Sequence, residues 1–65
     1  PSVRGAAVIL ELKVSDSFQG MEQECNKALK QIEEMDYEAE LRAEGYDNIK
    51  KYGLSFYRKE CMVRK

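Results

Sequence analysis

The sequence predicts a small α/β fold, an α+β fragment with its elements in the order β-α-α-β-β, and three patterns carry that prediction. Ala6–Val14 is an apolar run of strand length. Residues 19–35 repeat apolar side chains at helical spacing, and residues 49–57 alternate before a turn and a last short stretch.

In the first run the two-residue repeat of a strand puts Val8, Leu10, Leu12 and Val14 on one face and Ala7, Ile9, Glu11 and Lys13 on the other. Ser15, Asp16 and Ser17 then offer N-cap candidates for the helix over 19–35. Its apolar stripe is Met21, Cys25, Ala28, Leu29, Ile32 and Met35, which is expected to cover the Val8-Leu10-Leu12-Val14 face. Glutamates and lysines between the stripe positions form a solvated face, with spacings such as Asn26/Lys30 and Lys30/Glu34 that permit contacts along the helix.

A break near Asp36 and Tyr37 separates this helix from a shorter one over 36–45, where Tyr37 and Leu41 are neighbours one turn apart. Gly45 stands at the C-cap position and is expected to adopt a positive φ. Residues 49–57 place Tyr52, Leu54 and Phe56 on one face and Gly53, Ser55 and Tyr57 on the other. Arg58, Lys59 and Glu60 turn the chain into a last strand over 61–64.

Helix and strands match in length, about 25 Å each, as a βαβ unit requires. The first two strands are therefore expected to be parallel neighbours joined by a right-handed crossover, with the third antiparallel at the far side. The sheet order is then 1-2-3, with the helices on one face. The other face is left bare, and the first strand keeps an unpaired outer edge.

Sixty-five residues make one small domain, spanning 1–65, that hides only about 60% of the surface its unfolded chain exposes. Eleven basic against twelve acidic residues give a net charge of −1, which lacks the one-sign excess of a general nucleic-acid-coating protein; any such contact must be local. Cys25 and Cys61, with no histidine in the chain, do not have the number or spacing of a disulfide framework or a zinc site. They read as reduced core residues of a cytoplasmic protein. No signal peptide and no membrane-spanning stretch is evident. Pro1 in place of Met fits a piece cut from something longer.

Glu11 and Lys13 are the most informative pair. One reading makes them the charged stripe of an edge strand, a weak surface ion pair. The other starts from their company, since the same face carries Ala7 and Ile9. Two charges on a strand covered on both sides suggest a metal-and-phosphate site. With the helix on the Val8-Leu10-Leu12-Val14 side, both would point to the bare face.

The segment from Arg4 to Ser15, with Glu11-Leu12-Lys13 at its centre, is followed by Gln31-Ile32 in the helix and Tyr52-Gly53-Leu54-Ser55-Phe56 in the next strand. Together these resemble the C-terminal end of bacterial proteins in the PD-(D/E)XK nuclease superfamily, in the branch often joined to an N-terminal AAA-ATPase-like domain. The resemblance covers nearly the whole chain and implies the C-terminal half of a restriction-endonuclease-like core.

It further implies that Glu11 binds Mg²⁺, that Lys13 orients or activates the attacking water and offsets phosphate charge, and that Gln31 steadies the site. Magnesium is held by one or two carboxylates plus water and phosphate oxygens, and lysine is a compact cation suited to a phosphate oxygen. By residue type and position alone Gln31 reads first as a solvated surface glutamine, and Tyr37 first as a core or helix-break aromatic rather than a substrate contact.

The family's first acidic ligand lies on the strand before the Glu-x-Lys strand, and only residues 1–5 precede the first strand here. Asp16 and Asp47 are not convincing substitutes. The expectation is a nuclease-like fragment that is inactive alone, whose parent acts on nucleic acid with Mg²⁺. The alternative is a non-catalytic interaction module that self-associates, as a dimer, through the open edge of the first strand, with Glu11 and Lys13 as an interfacial ion pair.

Overall fold

Chain order in the computed structural model, which describes residues 5–65, is β1 (Ala6–Val14), α1 (Met21–Met35), α2 (Tyr37–Ala43), β2 (Asn48–Tyr57) and β3 (Glu60–Arg64). The sheet order is β1-β2-β3, with β1 parallel to β2 and β3 antiparallel to β2. The expected topology is therefore the one observed, and β1 lies at an open edge.

Which face α1 covers is decided by the small residues of β2. Gly53 and Ser55 are buried beneath the helix, and a Cβ at Gly53 would run into the Cys25 carbonyl oxygen and lie 3.0 Å from Leu29 Cγ and 3.1 Å from Ala28 Cβ. Only glycine lets the two backbones come this close. Parallel register then fixes β1: Glu11 pairs with Gly53 and Lys13 with Ser55. Ala7, Ile9, Glu11 and Lys13 therefore share the helix side.

The expectation for the two faces of β1 is thus reversed. Ile9 joins Met21, Cys25, Ala28 and Ile32 in the core, while Val8, Leu10, Leu12 and Val14 stand 54–83% exposed on the bare face. The bulky side of β2, with Tyr52, Leu54 and Phe56, lies beside them in register with Leu10, Leu12 and Val14. Apolar content alone favoured that face for the helix, but close packing needed the small one.

Ser15, Asp16 and Ser17 do not cap α1, whose N-cap is Gly20 with no side-chain cap bond. Instead Ser15 Oγ donates to the Ser17 carbonyl, and Ser17 Oγ accepts from the Gly20 N–H at 3.0 Å. The serines build the connection, and Ser15 N–H donates to the Phe56 carbonyl, extending the β1–β2 pairing. Met35 at the end of α1 is exposed rather than part of the core stripe. Cys61 is exposed too, since its place on β3 falls on the bare face.

The helix break falls at Asp36, which takes the left-handed conformation (φ 56°) and donates its N–H to the Glu33 carbonyl. Gly45 has a positive φ of 104°, as expected of the residue closing α2. Helix α2 has no buried residue. A carboxylate ties it to the sheet: Glu38 meets Lys51 Nζ at 2.9 Å and Arg42 at 2.8 Å. The helix side of β2 is sealed by Ser55, whose hydroxyl donates to the Met21 carbonyl at 2.8 Å, and by Cys25, whose thiol donates to the Met62 carbonyl at 3.3 Å. Among the described residues no helix is long and apolar enough to cross a membrane.

Candidate functional site

Glu11 and Lys13 reach the helix-covered side because β1 alternates and because Gly53 and Ser55 draw α1 over the middle of the sheet. Since β1 is the edge strand, the two side chains emerge along the flank of α1 and are partly covered rather than sealed in. That position suits charges that must be shielded on one side and open on the other.

Gln31 completes the geometry. It lies one turn beyond Ala28 on the β1 side of α1, and its Oε1 accepts a hydrogen bond of 2.5 Å from Lys13 Nζ. The contact joins residues eighteen positions apart in the chain. An amide oxygen orients the ammonium without cancelling its charge, as a carboxylate partner would. The two residues expected to act together are therefore brought together, and the reading of Gln31 as a freely solvated glutamine is corrected.

Glu11 has no side-chain hydrogen bond or ion pair among the described residues, so its oxygens are open to another partner. It does not pair with Lys13. It lines an open groove at the outer edge of β1 with Val8, Ile9, Leu10, Tyr37, Glu40 and Leu41. Glu40 is a second carboxylate on that groove that the sequence pattern did not single out; its place on α2 follows from the turn at Asp36. Tyr37 is half-buried against the same groove, which agrees with its reading as an aromatic at the helix break.

The donor set fits a divalent ion in part. A half-open carboxylate is the oxygen donor Mg²⁺ takes, yet among the described residues no three of His, Cys, Asp or Glu come together to hold an ion. Glu11 could supply one ligand of such a site, not the whole of it.

A second charged cluster sits at the far end of α1, where Ile32, Glu33, Asp36, Glu38, Arg42 and Lys51 line a groove. Hydrogen bonds from Lys51 and then Arg42 hold the Glu38 carboxyl below its ordinary range, and Glu38 in turn raises Lys51. Glu38, Arg42 and Lys51 satisfy one another, so these three read as the anchor of α2.

A family model of the PD-(D/E)XK nuclease superfamily matches residues 2–65. No curated protein and no solved structure matches the chain.

Proposed function

The chain belongs to the PD-(D/E)XK nuclease superfamily, and from that premise we propose that it supplies the Glu-x-Lys half of a centre for hydrolysing the phosphodiester backbone of a nucleic acid. Nucleases of this superfamily generally use divalent metal ions and act on nucleic acid. Within it we assign the chain to the bacterial branch joined to an AAA-ATPase-like domain, on its Glu11-Leu12-Lys13, Gln31-Ile32 and Tyr52-Gly53-x-x-Phe56 motifs.

The observation that carries the reading is the Lys13–Gln31 hydrogen bond beside Glu11, which has no side-chain partner among the described residues. Held by a neutral acceptor, the ammonium keeps its charge for a phosphate oxygen and stays placed to orient a water at the scissile bond. Glu11 is the metal ligand. A bound Mg²⁺ supplies Lewis-acid polarisation of the phosphodiester and a water of lowered pKa. We place the protein in the cytoplasm, where its two free cysteines, one of them exposed, stay reduced.

One carboxylate holds Mg²⁺ poorly, so the chain alone is inactive and needs a further acidic ligand. Incubating it with single- and double-stranded DNA and RNA in Mg²⁺ or Mn²⁺ tests this. No cleavage is expected, and cleavage that Lys13→Ala abolishes would overturn the inactivity. In the intact centre, Lys13→Ala removes catalysis, and Gln31→Ala lowers turnover while leaving nucleic-acid affinity nearly unchanged.

A second reading has its own observation: among the described residues the outer edge of β1 is unpaired and the apolar face beside it is uncovered. As a non-catalytic module the chain would self-associate through that edge, relieving the marginal stability of so small a core. Sedimentation at high concentration that shows a clean monomer removes this reading.

A further inference from the structure

The net charge of −1 conceals a strong separation along the chain. Residues 21–47, which hold both helices, carry nine acidic groups and three basic ones, whereas residues 48–65 carry six cations against the single acid Glu60. The helices are acidic and the β2–β3 hairpin is basic. Such asymmetry is the electrostatic footprint of a polyanion contact even when the whole chain is nearly neutral.

Two of the six cations sit at the hairpin tip, where Arg58 and Lys59 connect β2 to β3. Lys51 and Arg64 are engaged by Glu38 and Glu22, but Arg58 and Lys59 form no ion pair among the described residues, although Asp16 and Glu60 lie at the same end. Arg58 also has a left-handed backbone, φ 54°, a conformation that glycine or asparagine adopts readily and arginine does not. Its guanidinium is held over the Tyr57 ring, 5.2 Å from the centroid. A strained turn carrying a pre-positioned, exposed cation calls for a reason outside folding.

Parallel pairing supplies one. Lys13 is in register with Ser55, so Arg58, just past the end of β2, lies three residues further on, roughly 10 Å along the strand direction. It stands at the C-terminal end of the two parallel strands, the end toward which Lys13 also lies. We propose that the Arg58-Lys59 tip is a phosphate-binding site for the nucleic-acid strand, gripping the backbone close to the bond presented to Lys13. The proposal rests on the nuclease reading for the identity of the polyanion. A membrane surface is the poorer fit, because the tip carries no apolar side chain to enter a bilayer.

The test is fluorescence anisotropy of the chain with a labelled oligothymidylate across a salt series. Arg58→Gly/Lys59→Ser keeps the turn and removes both charges. Affinity is expected to fall roughly tenfold at about 50 mM salt, and the slope of log affinity against log salt to fall by about 1.4 for two lost phosphate contacts. The melting temperature stays level or rises, because glycine relieves Arg58. Lys27→Gln/Lys30→Gln, on the exposed side of α1, leaves affinity and slope unchanged. Equal affinity and slope in the tip variant would overturn the proposal, as would a wild-type chain that binds no oligonucleotide or binds only anionic vesicles. The Glu11 centre is read separately by metal binding, so either can fail without the other.

Discussion

The two faces of the sheet differ in a way that hydrophobicity alone inverts. The face bearing Glu11, Lys13 and Ser55 is covered by α1, while the face bearing Val8, Leu10, Leu12 and Val14 is open. The difference teaches that a helix docks where backbones can approach, over Gly53 and Ser55, and not simply where the oiliest side chains are. The arrangement also places the candidate site. It sets two charged groups along the flank of a helix whose Gln31 can hold one of them.

Substitutions on the two faces should therefore differ widely. Ile32→Ala on the covered side, where the side chain is 1% exposed, is expected to cost about 2–5 kcal/mol. That is enough to unfold so small a chain at room temperature, as thermal circular dichroism would show. Gly53→Ala forces α1 away from β2 and should cost about 1–3 kcal/mol. A near-neutral Gly53→Ala would break the reason given for the choice of face.

Arg58→Gly removes a left-handed arginine and should stabilise by about 1 kcal/mol, read as a rise in the denaturation midpoint. Val14→Ser on the open face, at a residue 83% exposed, should change stability by less than about 0.5 kcal/mol. A large loss there would mean that this face is covered in solution.

The smallest effect belongs to Glu38. Its carboxyl titrates below its ordinary value of 4.5, chiefly through Lys51 and then Arg42, so the native state favours the charged form. The stability it contributes is present above pH 4.5 and is lost as the pH falls through the lowered native value. Glu38→Gln should flatten the acid limb of the stability curve slightly, because these groups are solvent-screened.

Most of the fold was legible because its signals are local. The limits of β1, the break at Asp36, the positive φ of Gly45 and the parallel β1–β2 pairing all follow from short patterns and from the length of the crossover. The facing of β1 was not, because its determinant lies some forty residues downstream, in the smallness of Gly53 and Ser55. The alternation of small and bulky residues in β2 was visible, but its weight depends on α1 being drawn down onto it. Met35 and Cys61 were placed in the core by spacing and by residue type, and each falls outside the area that one helix can cover.

At the candidate site, Glu11 and Lys13 were legible as a pair on one face, and the structure joins Lys13 to Gln31. Glu40 was not legible, since its position beside Glu11 on the β1 groove requires the turn at Asp36 to swing α2 toward the strand edge.

The most direct measurement is a Mn²⁺ titration followed by amide NMR of the intact chain. If Glu11 is a metal ligand beside Lys13, paramagnetic broadening will appear first in β1 around residues 10–13 and in α1 around Gln31, and Glu11→Gln will abolish it. Broadening that survives Glu11→Gln, or that appears instead around Glu33, Asp36 and Glu38, would contradict the assignment of the site.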